Sequence, residues 1–229
     1  CQWLARSGHI STLLASPAGT AGSARAGAGR GGVPHLLPPV ARWLAGAIIP
    51  AMTTPPGTVR AATVADAADC ARIYAHYVQH TTVSFETEPP SVETLASRIA
   101  DYSASHAWLV LERAGGIAGY AYGHRFAERA AYSWSCETSI YLDPEHRASG
   151  GGRALYHTLL PRLAERGYRR VYAGITLPNP ASVGFHQAMG FRQVGVLERV
   201  GWKLGNWHDV AWLQRYLHDG DDGAPPDPP

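Results

Sequence analysis

The sequence predicts a mixed α/β fold, in which helices cover a sheet that contains both antiparallel and parallel strands. Short strand-like segments alternate with segments of helical period over most of the chain. Some neighbouring strands are joined by a short turn, whereas others are separated by a helix that would bring them parallel. The 229 residues are 45% hydrophobic, which is enough to bury a core.

The expected order is strand, two helices, three strands, helix, strand, helix and two strands. The corresponding residues are 58–62, 65–80, 91–103, 107–112, 117–126, 132–142, 150–166, 171–176, 179–190, 191–197 and 210–217. In the first helix, Ala68, Ile73 or Ala71, and Tyr77 are spaced for one face. Ser91 is a favourable N-cap for the second helix.

The middle strands are predicted from apolar runs and from alternation. Residues 107–112 are strongly apolar, and Gly115 and Gly116 provide a turn into 117–126. Residues 132–142 show a period of two, which is typical of a strand with two different faces.

The later elements are predicted from an apolar stripe and from capping residues. One side of the helix at 150–166 carries four leucines, Leu155, Leu159, Leu160 and Leu163. Asn179 can cap the last helix, which has Pro180 at its first position and Gly190 at its end.

The two ends of the chain differ in composition from the middle, and we expect both to be disordered. Residues 1–57 contain no Asp or Glu, are rich in Gly, Ala, Pro and Ser, and keep no period. Met52 is a candidate for the natural start, which would make the extension an artefact; an organelle-targeting segment is the alternative. Residues 219–229 are rich in Asp, Pro and Gly, so the ordered domain is expected at 58–218.

The bulk properties exclude several classes of function. A net charge of +2 gives no case for a nucleic-acid partner. The longest apolar stretch, 40–52, is broken by Arg42 and Pro50, so no membrane span is expected. Three scattered cysteines suggest neither a disulfide framework nor a metal site, and they fit a reducing, cytoplasmic environment.

A glycine-rich segment follows a predicted strand directly and opens a predicted helix. It has the pattern Arg-x-x-Gly-x-Gly and reads Arg147, Ala148, Ser149, Gly150, Gly151, Gly152, with Arg153 next. Unpaired N–H groups and the positive end of the helix dipole favour an anion here, and glycines let the backbone approach a pyrophosphate. Alone the motif also fits dinucleotide or mononucleotide binding, but the Gly-Lys-Ser/Thr ending of an ATP loop is absent.

Five further stretches join this motif in one collinear pattern over about residues 58–217. They are residues 84–89 (Ser-Phe-Glu-Thr-Glu-Pro), 131–134 with 136–142 (Ala-Tyr-Ser-Trp and Cys-Glu-Thr-Ser-Ile-Tyr-Leu), 177–183 (Leu-Pro-Asn-Pro-Ala-Ser-Val), 186–191 (His-Gln-Ala-Met-Gly-Phe) and 201–209 (from Gly-Trp-Lys to Trp-His-Asp). The pattern resembles the GCN5-related N-acetyltransferase (GNAT) superfamily, in its phosphinothricin acetyltransferase branch. The resemblance implies the three-layer α/β/α acyl-CoA N-acyltransferase fold with two splayed central strands.

The resemblance also implies acetyl-CoA as co-substrate, and no metal. Pantetheine would lie between the splayed strands and contact the main chain of Ile140, Tyr141 and Leu142. The pyrophosphate would rest on residues 147–153, and Asn179 would bond the pantetheine arm in addition to capping its helix.

Glu137 matches the family's catalytic glutamate, and His186 matches a histidine thought to assist acid–base work. An alkyl ammonium must lose a proton before it can attack a thioester, and a carboxylate can take it. Without the resemblance, Glu137 would be read as a solvated strand residue and His186 as a structural one. Alternation places Glu137 opposite to Cys136, for which the sequence suggests no nucleophilic role.

Phe85, Arg129 and Tyr132 match positions of the family's acceptor pocket, although Phe85 is equally consistent with a core aromatic. A guanidinium suits an acidic acceptor because it can bind a carboxylate in bidentate fashion. The chain departs from the family at Ala127, where another basic residue is frequent, and Arg125 is nearby but offset.

The expected function is therefore transfer of acetyl from acetyl-CoA to the primary amine of a small amino-acid-like acceptor, of the phosphinothricin, methionine sulfone or sulfoximine type. Alternatives are acetylation of peptide or protein amines, and a non-catalytic acyl-CoA-binding module. A homodimer is a further expectation, since the apolar end with Trp202, Trp207 and Trp212 fits an interface as well as core packing.

Overall fold

A seven-stranded sheet organises the part of the chain that this computed structural model describes, residues 57–146 and 150–218 with Gly223, Asp227 and Pro229. The predicted extension up to residue 56, Arg147, Ala148 and Ser149 of the glycine-rich segment, and most of the predicted tail lie outside the described residues.

The elements occur in the predicted order. The strands are β1 (Thr58–Ala61), β2 (Ala107–Arg113), β3 (Gly116–Arg125), β4 (Ser135–Leu142), β5 (Arg170–Thr176), β6 (Arg192–Lys203) and β7 (Asn206–Tyr216). The helices are α1 (Ala67–His80), α2 (Val92–Ser105), α3 (Gly151–Glu165) and α4 (Pro180–Ala188).

Most of the local predictions are confirmed, with corrections at a few points. Ser91 caps α2, since its side chain accepts a hydrogen bond from the Thr94 backbone N–H, and the four leucines of α3 are buried. In α1 the predicted face is wrong at Ala68, which is exposed, because Ala67 and Cys70 occupy the buried side instead. The strand predicted from residue 132 begins at Ser135, because residues 130–132 form a 3₁₀ turn.

The sheet has the order β1-β2-β3-β4-β5-β7-β6, and every neighbouring pair is antiparallel except β4 and β5. Helices α1 and α2 pack on one face, over a core drawn from β2, β3 and β4. The core on the other face extends from β2 to β7 and includes α3 and residues around α4. Because α3 connects β4 to β5, these two strands can run parallel. The predicted three-layer fold is therefore confirmed.

The two parallel strands are paired at one end only. Ser135, Cys136 and Glu137 of β4 pair with Arg170, Val171 and Tyr172 of β5. Beyond that point β4 continues to Leu142 beside β3, and β5 continues to Thr176 beside β7, so the strands separate. The Thr138 hydroxyl donates to the Tyr172 carbonyl oxygen at 3.3 Å where the ladder ends. The resulting opening is called here the β4–β5 cleft.

Candidate active site

The β4–β5 cleft is lined largely by the two strands that separate. Its walls are Thr138 to Tyr141 of β4 and Ala173 to Thr176 of β5, together with Val83, Asn179, Ser182 and His186. Backbone groups that face such a gap lack a neighbouring strand, so an extended group lying in the cleft can pair with them.

The start of α3 lies at the end of β4, and its glycines are required for different reasons. Gly150 has φ of 78°, in the left-handed region that disfavours side chains. A Cβ on Gly151 would lie 2.5 Å from Leu111 Cδ2, and one on Gly152 would lie 3.3 Å from the Phe185 ring. A fifteen-residue helix presents unpaired N–H groups and a partial positive charge at this end. Arg153 is exposed beside it.

Of the residues predicted to contact the cofactor through β4, Ile140 and Tyr141 line the cleft. Leu142 lies at the end of the strand, where its Cδ2 is 3.6 Å from the position of a Cβ on Gly151. The end of the cleft therefore meets the start of α3.

Asn179 both caps α4 and lies in the wall of the β4–β5 cleft. Its Oδ1 accepts a hydrogen bond from the Ser182 backbone N–H at 3.1 Å, which confirms the predicted cap of α4. The same residue lines the β4–β5 cleft, so the cap fixes an amide side chain at the cleft wall.

Glu137 is the last residue of β4 that pairs with both neighbouring strands. Its register partners are His124 of β3 and Tyr172 of β5, and only 5% of it is exposed. Burial disfavours the charged form and raises the pKa of the Glu137 carboxyl to about 7. The carboxyl can therefore gain or lose a proton near neutral pH, immediately beside the point where the cleft opens.

Cys136 faces the opposite side of the sheet, as alternation predicted. It belongs to the core beneath α3, and burial raises the pKa of its thiol well above the ordinary value. A buried protonated thiol on that side has no access to the Glu137 face, which agrees with the absence of a nucleophilic role.

His186 is buried in the wall of the cleft, with both ring nitrogens engaged. Nδ1 donates to the Ser182 carbonyl oxygen at 2.8 Å, so Nε2 accepts from the Tyr156 hydroxyl at 3.0 Å. The same hydroxyl lies 3.2 Å from Thr138 Oγ1. Burial lowers the pKa of the imidazole, so the neutral ring is favoured. Tyr156 and Thr138 were not predicted from the sequence. A tyrosine within the apolar stripe of a helix looks like a core residue, and a threonine in a strand is common.

The sheet face that carries Glu137 is covered unevenly by helices. The core beneath α1 and α2 includes residues of β2, β3 and β4. Next to it the face carries an aromatic patch, in which Phe126 stacks on Tyr172 with ring centroids 4.3 Å apart and meets Trp212 edge-on at 6.0 Å. Trp212 thus lies beside the site rather than with Trp202 and Trp207 at the end of the β6–β7 hairpin.

Tyr132 and Arg129 lie at one border of this aromatic patch. The Tyr132 ring meets Phe126 edge-on at 5.8 Å, and Arg129 is the exposed N-cap of the same 3₁₀ turn. Arg125 is the register partner of Cys136 and therefore belongs to the opposite face. It does not replace the basic residue that is absent at Ala127.

Phe85 lies on a different wall, in the loop between α1 and α2. The Phe85 ring covers Gly201, where a Cβ would lie 2.2 Å from Phe85 Cε2. Phe85 belongs to neither of the two hydrophobic cores. Lys203, the sole lysine of the sequence, donates from Nζ to the Ser84 carbonyl oxygen at 2.6 Å. These contacts fasten the α1–α2 loop to the β6–β7 hairpin.

The described residues offer neither a cluster of metal ligands nor a helix suited to a membrane. Within 57–146 and 150–218, no group of three or more His, Cys, Asp or Glu side chains is placed to hold a metal ion. None of the helices described has the length and apolar character needed to span a bilayer.

Comparison with known proteins places this geometry among acetyltransferases. Residues 59–212 match the family described as acetyltransferase (GNAT) domain. Phosphinothricin N-acetyltransferase of Streptomyces viridochromogenes is 38% identical over 173 residues, which cover 76% of this chain and 93% of that protein. The L-methionine sulfoximine/L-methionine sulfone acetyltransferase of Salmonella typhimurium is 32% identical, with coverage of 74% and 98%.

A solved structure shows the same arrangement of elements. The phosphinothricin acetyltransferase of Sinorhizobium meliloti, a GNAT superfamily protein crystallised with AcCoA, superposes with a TM-score of 0.72. It is 34% identical, and the match covers 75% of this chain and 94% of that one.

Proposed function

The chain belongs to the GNAT acetyltransferase domain family and is an acetyl-CoA-dependent N-acetyltransferase, and we propose that its acceptor is the primary amine of a small amino-acid-like molecule. The single observation that carries the proposal is the position of Glu137. Its carboxyl lies at the last paired position before β4 and β5 separate. A thioester in the β4–β5 cleft would therefore meet an amine held at Glu137.

We propose that acetyl-CoA occupies the cleft along its length. Pantetheine would pair with the main chain of β4 at Ile140, Tyr141 and Leu142, and Asn179 would bond the same arm from α4. The diphosphate would rest at Gly150, Gly151 and Gly152, where the helix start favours an anion. Arg147, Ala148, Ser149 and Arg153 complete the proposed loop, the two arginines by adding positive charge.

The proposed reaction begins with removal of a proton from the acceptor ammonium by Glu137. The free amine then attacks the thioester carbon, a C–N bond forms, and the carbonyl electrons move to oxygen. Backbone N–H groups at the open edge of the cleft would stabilise this oxyanion. The C–S bond breaks as the carbonyl reforms, the sulfur takes the electron pair and a proton, and the nitrogen releases its remaining extra proton.

His186 is the second acid–base group of the proposal. Its Nε2 reaches β4 through the Tyr156 hydroxyl and Thr138 Oγ1, at 3.0 and 3.2 Å. For a proton to pass along this route, the Thr138 hydroxyl would have to turn from the Tyr172 carbonyl oxygen and donate to the Tyr156 hydroxyl.

The acceptor would lie on the aromatic patch beside Glu137. Arg129 would bind its carboxylate, Tyr132 would border the same group, and Phe85 would close the wall formed by the α1–α2 loop. Ala127 supplies no charge and Arg125 faces the other side of the sheet. The negative charge of a second acidic group on the acceptor would therefore be balanced by fewer basic side chains. This favours a neutral sulfone or sulfoximine side chain over phosphinothricin itself.

A panel of amines tests the proposal by following thiol release from acetyl-CoA. L-Methionine sulfone and L-methionine sulfoximine should give the highest kcat/KM, L-phosphinothricin a lower one, and a peptide N-terminal amine the lowest. A preference for the peptide amine would contradict the proposed acceptor, and absence of thiol release with every amine would contradict the function.

We also propose that the enzyme is cytoplasmic and works as a homodimer. The edge strand β6 exposes Val194, Val196 and Trp202, the last to 59%, and Trp207 of β7 is exposed beside it. A second copy would cover this apolar edge. Light scattering should give twice the monomer mass, and Trp202→Glu should give a monomer; a monomeric wild type would refute the dimer.

A further inference from the structure

His124 faces Glu137 across the ladder between β3 and β4, and the proposed reaction has so far left it without a role. The two residues are register partners, and His124 Nε2 lies 3.9 Å from Glu137 Oε2. The inference below rests on the proposed function, because it assigns His124 a part in binding the same amine.

The hydrogen bond at Nδ1 decides which nitrogen of His124 carries the ring proton. Nδ1 lies 3.2 Å from the Arg125 carbonyl oxygen, and a carbonyl oxygen only accepts hydrogen bonds. In the neutral ring the proton is therefore on Nδ1, and Nε2 presents a lone pair toward Glu137. Burial lowers the pKa of the imidazole to about 3, so this lone pair persists at neutral pH.

The ring is held in place by aromatic neighbours. It stacks on Tyr102 of α2 with ring centroids 5.7 Å apart, and it lies 5.6 Å from Tyr122, two residues earlier on β3. Glu137, Tyr102 and Tyr122 are thus titratable side chains that face the ring, and the charges of Arg98 and His106 also act on it. A ring fixed in this way keeps the direction of its Nε2 lone pair, which is a requirement for orienting a reactant.

A separation of 3.9 Å between Nε2 and Oε2 is too long for a direct hydrogen bond. It suits two acceptors that share one donor atom, because a nitrogen between them can lie about 2.8 Å from each. The pair therefore offers two acceptors to a group that carries two N–H bonds.

We propose that His124 Nε2 is a catalytic acceptor that, together with Glu137, holds the two N–H bonds of the free amine. Glu137 first takes a proton from the ammonium and passes it to water, which restores the carboxylate. The remaining N–H bonds then point to Oε2 and to Nε2, while the acceptor site fixes the carbon substituent. The fourth tetrahedral position is the lone pair, which is left pointing away from both acceptors.

The later steps balance without an additional reagent. The lone pair forms the C–N bond with the thioester carbon, and the C–S bond breaks with its electron pair moving to sulfur. The nitrogen, now positively charged, gives its second proton to the Glu137 carboxylate. Glu137 passes this proton through water to the thiolate, which forms the thiol and restores the carboxylate, so only the first proton taken from the ammonium is released in each turnover.

This arrangement predicts a preference for primary over secondary amines. A neutral N-methyl amine has one N–H bond and can satisfy only one of the two acceptors. Wild type should therefore acetylate L-methionine sulfone more than tenfold faster, by kcat/KM, than its N-methyl derivative. In a variant without Nε2, we expect kcat/KM to fall for the primary amine but not for the N-methyl amine.

The test compares His124→Phe, which keeps the stacked ring but removes the lone pair, with His124→Gln, whose Oε1 restores an acceptor at a similar reach. His124→Phe should lower kcat/KM for L-methionine sulfone about ten- to a hundredfold, leave acetyl-CoA affinity unchanged and abolish the preference over the N-methyl amine. His124→Gln should recover part of both.

His106→Phe is the matched control, since His106 is also buried and stacked, at 4.8 Å on Tyr168, but on the other face of the sheet. It should keep the preference for the primary amine. Wild-type kcat/KM in His124→Phe, or equal losses with both amines, would overturn the role of His124 alone. A wild type that acetylates no amine would overturn the proposed function and this inference together.

Discussion

The two halves of the site are built from different parts of the chain. The proposed cofactor half consists of strand backbone along the β4–β5 cleft and of consecutive glycines at the start of α3. The proposed acceptor half consists of side chains from β3, β4, β5 and β7, among them His124, Glu137, Tyr172 and Trp212. The first half depends on where the backbone runs, whereas the second depends on which side chains meet across strands.

The two halves should therefore respond differently to amino-acid substitutions. A backbone site tolerates most side-chain changes but is damaged by any atom added where a glycine is needed. A side-chain site keeps its fold after substitution but loses its chemistry or its selectivity. Changes in one half should therefore leave the function of the other half intact, and this can be tested.

Glu137→Gln should have the largest effect, because it removes the proposed base without changing the shape of the acceptor half. We expect kcat to fall roughly a hundred- to ten-thousandfold, while acetyl-CoA affinity measured by calorimetry stays at the wild-type value. Glu165→Gln, which removes a negative charge at the exposed end of α3, is the control. Unchanged thiol release in Glu137→Gln would exclude Glu137 from the reaction.

The same substitution should stabilise the fold at alkaline pH. The pKa of Glu137 is raised from 4.5 to about 7 in the folded state, so the unfolded chain loses this proton first. The contribution of Glu137 to the free energy of unfolding therefore falls as pH rises from 4.5 to 7, by up to ~3 kcal/mol. Gln does not titrate, so Glu137→Gln should exceed wild type in stability at pH 8, with little difference below pH 5.

Urea denaturation of both proteins at pH 5 and pH 8 measures this difference. If the variant were the less stable protein at pH 8, burial of the charged carboxylate could not be the dominant effect at this position. The expected result would show that the acceptor half retains a destabilising group for its chemistry.

Gly150→Val tests the cofactor half in the same way. A β-branched residue at φ of 78° is strained, and its side chain would project at the helix start where the diphosphate is proposed to rest. Acetyl-CoA affinity should fall at least tenfold by calorimetry. Gly184→Ala is the matched control, because a Cβ at Gly184 of α4 meets no atom within 4 Å. Equal acetyl-CoA binding by both variants would refute the placement of the diphosphate.

The sequence points to the proposed cofactor half more directly than to the proposed acceptor half, for a physical reason. Gly150, Gly151 and Gly152 are consecutive, and Asn179 caps a helix through a residue three positions later, so local pattern is sufficient. His124 and Glu137 meet only through the β3–β4 register, and a slip by one residue would turn either side chain to the other face.

Prediction from local sequence pattern also fails at the edge of the sheet, in β6. The inner strands were predicted because apolar runs or alternation mark their buried faces. In β6 every residue from Arg192 to Trp202 is at least partly exposed, so the alternation that marks a half-buried strand is missing. The sequence therefore did not predict that β6 extends to Lys203. It also did not predict the turn at Leu204 and Gly205, where φ is 51° and 78°.

The smallest effect is expected at Lys203, which touches the acceptor half only through the α1–α2 loop. Lys203 is only 6% exposed, and its ammonium donates to the Ser84 carbonyl oxygen, one residue before Phe85. Lys203→Met keeps the length but leaves that carbonyl without its donor, which costs ~1–3 kcal/mol and loosens the wall under Phe85. We expect KM for the acceptor to rise roughly three- to tenfold, with kcat and acetyl-CoA affinity nearly unchanged, and Lys203→Arg to recover part of the loss. A change in acetyl-CoA affinity as large as that in KM would mean that the loop fastens both halves, and the division between a backbone half and a side-chain half would then not hold at this wall.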